Sequence, residues 1–97
     1  MAVGDMFAGH ATLLPTQTAL IRPSGADIEW AIHNIYVPLG CECELYRTDG
    51  TTPIKVMNLS VSLLSYNMHC SNSYYVSVKN VGSTNVTIAY DGLVMQE

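Results

Sequence analysis

The residues best suited to chemistry in this 97-residue sequence are its three cysteines. Cys41 and Cys43 are two residues apart, so on a strand their sulfurs would share one face about 7 Å apart. Structural zinc sites usually take cysteine pairs with two to four intervening residues in tight turns, so this spacing argues against a metal. The odd number of cysteines favours free, buried thiols, and a disulfide from Cys70 to Cys41 or Cys43 is the alternative.

The histidines and acidic residues form no recognisable catalytic pattern. The three histidines lie in separate segments, and no serine or threonine near them carries a nucleophile motif. Glu42 and Glu44 alternate with Tyr46, so they form either an acidic recess for a cation or sugar hydroxyl, or a solvated strand face, which we favour. The sequence also lacks a phosphate-binding loop or dinucleotide fingerprint. We therefore expect no enzyme, no catalytic residues, no cofactor and no metal.

The charge of the chain restricts its partners. Four basic residues against eight acidic ones give a net charge of -4, and the basic residues never cluster, which argues against nucleic acid as a partner. No apolar run is long enough for a membrane span and no signal peptide is recognisable, so we expect synthesis in the cytoplasm and no membrane partner. Charged residues make up only 12% of the chain, which favours a homo-oligomer or docking to another protein.

The elements that would position these residues are strands. From Thr16 onward, runs rich in Val, Ile, Thr and Tyr are bounded by Gly, Pro, Asn or Asp about every eight to twelve residues. This rhythm predicts a single antiparallel β-sandwich over residues 16–97, with about eight short strands in a jelly-roll or immunoglobulin-like order. The predicted strands are Thr16 to Arg22, Asp27 to Val37, Cys41 to Thr48, Ile54 to Asn58, Val61 to His69, Tyr74 to Asn80, Asn85 to Tyr90 and Leu93 to Gln96.

Alternation is clearest in the second predicted strand, where Ile28, Trp30 and Ile32 share one face. We expect Trp30 to anchor the core. The apolar parity then shifts, which predicts a bulge near His33 and Asn34, because one extra residue moves every later side chain to the other face.

Three glycine-containing pairs mark turns between predicted strands. Asp49-Gly50 predicts a hairpin, because glycine adopts positive φ at low cost. Gly82-Ser83 and Asp91-Gly92 separate the last three predicted strands. The C-terminal third is therefore predicted to be a meander.

Residues 1–15 lack a sustained period and are punctuated by glycine and proline. They are either an extended N-terminal arm ordered by a neighbouring subunit or a frayed terminus.

Tyrosine outnumbers phenylalanine six to one. The adjacent Tyr74 and Tyr75 must face opposite ways on a strand, so one packs inward and the other either contacts a partner or lies on a solvated face. The candidate interface residues are Met6, Phe7, Leu13, Leu14, Tyr74 and Tyr75.

Three motifs resemble a group of small virion proteins of tailed bacteriophages. They are the run from Arg22 to Trp30, the run from Tyr46 to Gly50, and Tyr90-Asp91-Gly92, and the similarity spans roughly Ala11 to Val94. The resemblance implies a compact β-sandwich that sits on a capsid or tail and has no catalytic residues. The chain departs from the group in its cysteines.

The leading hypothesis is therefore a capsid decoration or cement protein on the capsid surface of the virion. It would bind the assembled shell of major capsid protein as a homo-oligomer and stabilise it by adding contact area. The alternative is a head or tail fibre domain that binds host-surface glycans or another tail protein, with Glu42, Glu44 and exposed tyrosines as the recognition residues.

Overall fold

The computed structural model describes residues 3–96, and within this range the regular secondary structure consists of eight β-strands. The runs rich in Val, Ile, Thr and Tyr form strands because β-branched and aromatic side chains pack well on a pleated surface. The predicted all-β class and the antiparallel sandwich of two sheets are confirmed. The strands are β1 (Met6–Leu13), β2 (Thr18–Ile21), β3 (Glu29–Tyr36), β4 (Cys43–Thr48), β5 (Ile54–Leu59), β6 (Met68–Ser71), β7 (Tyr75–Asn80) and β8 (Val86–Gln96).

The strands are connected in jelly-roll order. One sheet, sheet A, has the order β1-β8-β3-β6, and the other, sheet B, has the order β2-β7-β4-β5. The first strand pairs with the last, the second with the seventh, the third with the sixth and the fourth with the fifth, all antiparallel. Of the two orders that the sequence left open, the structure has the jelly roll. Successive connections therefore alternate between the two ends of the sandwich.

The core lies between the inward faces of the two sheets. Trp30 packs against this core from a partly buried position and stacks on Phe7, with ring centroids 4.0 Å apart. Its indole N–H is buried without a hydrogen-bond partner in the described part of the chain. The most completely buried large side chains are Ile21, Ile32, Ile35, Leu45, Val76, Val78, Ile88 and Val94.

Two local predictions are confirmed. The register of β3 against β8 shifts between Ile32 and Asn34, where the parity change predicted a bulge. The strands β4 and β5 form the predicted hairpin, with Gly50 at a φ of 91°. The Asp49 carboxylate accepts hydrogen bonds from the backbone N–H groups of the two threonines after Gly50, at 2.9 and 3.0 Å. These bonds fix the turn locally, which is why the sequence alone could predict it.

The predicted N-terminal arm is wrong for most of its length, because Met6–Leu13 is the first strand of the sandwich and pairs with β8. Phe7 and Leu13 lie in the core. The segment lacks an obvious period because Gly9 takes one of its inward positions. A Cβ at Gly9 would lie 2.5 Å from the Tyr90 hydroxyl, so the tyrosine fills the space that a side chain would occupy. Residues 1 and 2 of the predicted arm, and residue 97, lie outside the described residues.

The predicted C-terminal meander is also wrong. Asp91-Gly92 lies inside the long strand β8 instead of forming a turn, and β7 and β8 belong to different sheets. A Cβ at Gly92 would lie 2.0 Å from the carbonyl oxygen of Ala31 on the neighbouring strand. Glycine is therefore present for close backbone approach within the sheet and not for a turn.

The predicted strand from Val61 to His69 is mostly a loop, and β6 begins only at Met68. Within this loop Ser65 has a φ of 57°, which no strand residue adopts. Leu63 forms an isolated bridge with Ile35, exchanging N–H to C=O hydrogen bonds of 2.8 and 2.9 Å. Among residues 3–96 there is no helix long and apolar enough to cross a membrane.

Candidate docking surface

Four connections meet at one end of the sandwich, which we call the loop end. They follow β1, β3, β5 and β7, the four strands that run toward this end in an antiparallel jelly roll. Because each connection leaves one sheet and enters the other, together they cover the core from this side. The loop end comprises residues 14–17, 37–42, 60–67 and 81–85.

Backbone hydrogen bonds tie these four loops to one another. The Gly40 N–H donates to the Ser60 carbonyl at 2.8 Å, which joins the β3–β4 loop to the β5–β6 loop. The Val81 N–H donates to the Glu42 carbonyl at 2.9 Å, which joins the β7–β8 loop to the β3–β4 loop. The loops thus form one connected surface.

Asn80 links the remaining loop from a fully buried position, with 0% of its surface exposed. Its side-chain amide donates to the Leu13 carbonyl at 3.0 Å and to the Thr84 carbonyl at 2.8 Å. Its side-chain oxygen accepts from the Gly82 N–H at 3.0 Å, and its backbone carbonyl accepts from the Thr16 N–H at 2.8 Å. One buried residue therefore holds the end of β1, the β1–β2 loop and the β7–β8 loop together, the β1–β2 loop through its backbone and the other two through its side chain.

Exposed apolar side chains are concentrated on the loop end. Leu39 is the extreme case at 87% exposure, at the tip of a turn in which the Cys41 N–H donates to the Pro38 carbonyl at 3.2 Å. Gly40 supplies the positive φ, 80°, that this turn requires. The turn therefore holds a leucine side chain in solvent, where its apolar surface adds no stability to the fold. The exposed apolar residues of the loop end are Leu14, Leu39, Val61, Leu64, Tyr66 and Val81.

Charge is distributed unevenly between the two ends. Glu42 is the one charged residue in the four loops of the loop end. At the opposite end, the Arg22 guanidinium lies 4.6 Å from the ring centroid of Tyr75, and that of Arg47 lies 4.4 Å from the ring centroid of Tyr74. Tyr75 is buried and Tyr74 is half-exposed beneath its arginine. The loop end therefore carries a single charge among apolar and uncharged polar residues, whereas the opposite end carries arginine side chains.

The structure does not bring the candidate interface residues of the sequence together. Phe7, Leu13 and Tyr75 are buried and so are unavailable as a surface, which corrects their assignment. They are buried because each lies on an inward-facing or covered position of a strand. Of the exposed members, Leu14 belongs to the loop end, and Met6 lies at the other end of β1.

The cysteines are free thiols. Cys43 and Cys70 are buried, and burial is the main cause that raises the pKa of Cys43 to about 12 and that of Cys70 to about 11. The neighbouring Cys41, which is partly buried, raises the pKa of Cys43 further and donates its own S–H to the Leu59 carbonyl at 3.3 Å. Among residues 3–96, no three His, Cys, Asp or Glu side chains are grouped as metal ligands.

Of the two interpretations of Glu42 and Glu44, the acidic recess loses support, because the neighbours of Glu44 pair with it. The Lys55 ammonium lies 2.9 Å from the Glu44 carboxylate, and the Tyr46 hydroxyl donates to the same carboxylate. The hydrogen bond from Lys55 and then that from Tyr46 hold the pKa of Glu44 below its usual value. Glu42 lies apart, in an exposed loop beside Gly82. This face is therefore an internally paired strand face.

A depression of about 340 Å³ lies between β3 and the loop end. It contains a histidine and a serine, and is lined by His33, Asn34, Ser65, Tyr66 and Asn67. The Ser65 N–H donates to the Asn34 side-chain oxygen at 2.9 Å. Within the described residues, no hydrogen bond joins the His33 imidazole to a hydroxyl or carboxylate, as a nucleophile and base pair requires. The Asp91 carboxylate accepts from the Asn34 amide at 2.7 Å and from the Tyr36 hydroxyl at 2.9 Å.

Sequence reasoning missed most of the loop end. Val61 and Leu64 were assigned to a predicted strand, and Leu39 carried no periodic signal. The available signal was the tripeptide Pro38-Leu39-Gly40, since a proline and a glycine around one residue indicate a turn that presents it.

No protein-family model matches the chain, and no curated protein matches it in sequence.

Proposed function

We propose that this protein is a capsid decoration or cement protein of a tailed bacteriophage, which docks by its loop end onto the assembled shell of major capsid protein. The observation that carries the proposal is the set of exposed apolar side chains on four hydrogen-bonded loops that contain one charged residue. Scattered apolar residues are normal on a protein surface, but these six share one end of the sandwich, on loops that are bonded to one another, and an apolar surface of this kind indicates an interaction site. The resemblance to small virion proteins supplies the class of partner.

The loop end suits docking to another protein for two physical reasons. Glu42 is its one charged residue, so few charges must be desolvated on contact. Its loops are already held by one another and by Asn80, so little conformational entropy is lost when they bind. Burial of a single leucine such as Leu39 stabilises a complex by about 1.5 to 3 kcal/mol.

Such a protein acts by contact area and not by turnover. Its site on the shell would exist only after assembly, because it would span the junction between subunits. Binding to the assembled state alone stabilises that state by mass action. Particles that carry the protein should therefore retain their DNA at higher temperature than particles that lack it.

The jelly-roll order does not itself choose between functions, since shell proteins and lectins both use it. Glycan recognition by Glu42, Glu44 and tyrosine receives less support than docking. Glu44 is paired with Lys55 and Tyr46, so its carboxylate has little capacity left for a sugar hydroxyl. Glycan binding is retained as an outcome of the test below.

The test is cosedimentation of the protein with mature capsids that lack it. We expect wild-type protein to bind these capsids and to bind unassembled shell subunits poorly. Leu39→Asp should weaken binding by about 30-fold, which corresponds to about 2 kcal/mol for an apolar anchor. The matched control is Ile54→Asp, which places the same charge on an exposed aliphatic residue at the opposite end.

Equal effects of the two variants, or wild-type affinity of Leu39→Asp, would contradict docking by the loop end. Binding of the isolated protein to a glycan array, together with failure to bind capsids, would replace the proposal with the fibre-domain alternative.

A further inference from the structure

The sandwich has four edge strands, and three of them are protected against pairing with another chain. β2 and β6 are only four residues long, and the His69 carbonyl on β6 accepts a hydrogen bond from the Arg47 guanidinium. β5 follows Pro53, carries Lys55, and pairs with β4 across a register shift. Short length, lysine, proline and irregular pairing are the usual devices that keep an edge strand from adding a partner.

β1 is the fourth edge and has none of these devices. It is eight residues long, contains no Asp, Glu, Lys, Arg or Pro, and pairs with β8 in unbroken register from Met6 against Leu93 to Leu13 against Val86. An edge strand of this length and composition is a template for strand addition.

The hydrogen-bond parity of sheet A identifies which backbone groups of β1 are open. The Val94 N–H donates to the Asp5 carbonyl at 2.9 Å and the Val94 carbonyl accepts from the Gly4 N–H at 2.7 Å, so both backbone groups of Val94 point toward the β1 side of β8. Hydrogen-bonded and non-hydrogen-bonded positions alternate along an antiparallel pair. From this the N–H and C=O groups that point to the open edge are those of Met6, Ala8, His10 and Thr12.

A second observation gives the same parity from the other side of β8. Ile35 on β3 exchanges hydrogen bonds with Leu63, away from β8, although it is directly opposite Tyr90. The backbone groups of Tyr90 therefore point toward β1, where its partner is Gly9. Gly9 is thus satisfied by β8, and its neighbours in sequence point outward.

We propose that β1 pairs with β1 of a second copy of this chain, antiparallel and centred on Gly9. In this register Met6 is opposite Thr12 of the second copy and Ala8 is opposite His10 of the second copy. All four outward-pointing residues then become hydrogen-bonded pairs, and the two copies of sheet A join into one sheet of eight strands. A shift by two residues in either direction would leave one of the four unpaired.

A second copy is favoured over another protein because the strand is complementary to itself. Paired residues of antiparallel strands place their side chains on the same face, so the core-facing residues Phe7 and Leu13 of both copies remain on the inner side. No like charges of Asp, Glu, Lys or Arg meet across the pair, since β1 has none. Gly9 permits the close Cα approach, about 4.5 Å, of a non-hydrogen-bonded pair at the two-fold axis.

Antiparallel pairing would point the two loop ends in opposite directions. The dimer would then offer one docking surface at each end, so each copy could dock independently. This consequence rests on the proposed function, whereas the pairing of β1 does not.

The pairing is tested first on the isolated full chain by sedimentation velocity. We expect wild-type protein to form dimers, and Ala8→Pro to weaken them at least about 10-fold, since proline removes an N–H from each copy that only the dimer uses. If Ala8→Pro fails to fold by circular dichroism, Ala8→Lys serves instead, with Thr87→Lys as the control that adds the same charge one strand further in. Wild-type protein that stays monomeric to millimolar concentration, or dimers unaffected by both Ala8 variants, would overturn the proposal.

The register is tested by oxidative cross-linking in a Cys41→Ser background, which removes the partly exposed native thiol. The double variant Ala8→Cys, His10→Cys should give a covalent dimer, because hydrogen-bonded partners lie about 5.5 Å apart between Cα atoms, within disulfide reach. Neither single variant should cross-link. Cross-linking by Ala8→Cys or His10→Cys alone would overturn the register centred on Gly9.

Failure of this proposal can be told from failure of the proposed function. Leu39→Asp should leave the dimer intact, and Ala8→Pro should leave the loop end of each copy able to bind capsids. If wild-type protein is monomeric and the β1 amides become protected from hydrogen exchange only on capsids, a strand from the shell is the partner, and self-pairing is wrong.

Discussion

Replacing Asn80 by alanine should destabilise the protein far more than the loss of one small polar side chain on the surface. The Asn80 side chain is fully buried and makes three hydrogen bonds, to the Leu13 carbonyl, the Thr84 carbonyl and the Gly82 N–H. Truncation leaves all three backbone groups without their partner. Because these bonds hold the β7–β8 loop to the end of β1, the same change loosens the loop end.

The magnitude follows from the three bonds. A net contribution of about 1 kcal/mol for each gives a loss of about 3 kcal/mol in the free energy of unfolding. For a domain of this size, about 1 kcal/mol lowers Tm by roughly 4 to 8 °C, so a loss on the order of 15 °C is expected. Two-state urea unfolding and calorimetry measure the two quantities independently.

The matched control is Asn72→Ala. The partly buried Asn72 amide makes one such bond, to the Pro23 carbonyl at 3.1 Å, so its truncation should cost about 1 kcal/mol. The reasoning is refuted if Asn80→Ala costs no more than Asn72→Ala. Capsid binding by Asn80→Ala, measured below its melting temperature, should also weaken, since the loops would have to be ordered on contact.

Two further results are expected. Gly92→Ala should lower the free energy of unfolding by about 3 kcal/mol, because the new Cβ meets the backbone carbonyl of Ala31. Gly40 has positive φ but open space around it, so Gly40→Ala should lower it by about 1 kcal/mol. Equal losses in urea unfolding would contradict the close approach at Gly92. Thiol reagents should label Cys41 in the native protein and reach Cys43 and Cys70 only after unfolding. Burial raises the pKa of Cys43 from 9.0 to about 12, so its contribution to stability is present below pH 9 and is lost as pH rises toward 12. Cys43→Ala should therefore reduce the loss of stability at alkaline pH. An unchanged loss would assign it to other groups.

Local chemistry was sufficient to predict several features of the fold. The hairpin at Asp49-Gly50 follows from bonds between residues two and three apart, and the bulge after Ile32 follows from the side-chain parity of one strand. Both depend on short stretches of chain, so both can be read from sequence. The all-β class follows for the same reason, because many independent short runs indicate it.

Non-local packing decided what the sequence could not. Gly92 has the residue type of a turn, but its role depends on the Ala31 carbonyl, which comes from a strand some sixty residues away in the chain. Gly9 likewise masks the period of β1 because Tyr90, from β8, fills its space. In both cases a glycine records an approach between distant strands, and one sequence gives no register between them.

The candidate functional surfaces were decided by topology. The sequence determined that the chain has few charges and many strand-forming residues, and therefore that a neutral surface must exist somewhere on a β-sandwich. Alternating strand direction brings Leu14, Leu39, Leu64 and Val81 from four separate loops to one end. The jelly-roll order decides which of these loops are neighbours, and it leaves β1 as an open edge. Strand pairing between residues far apart in the chain determines both the neighbours and the edge, since the same strands in another order would give different ones.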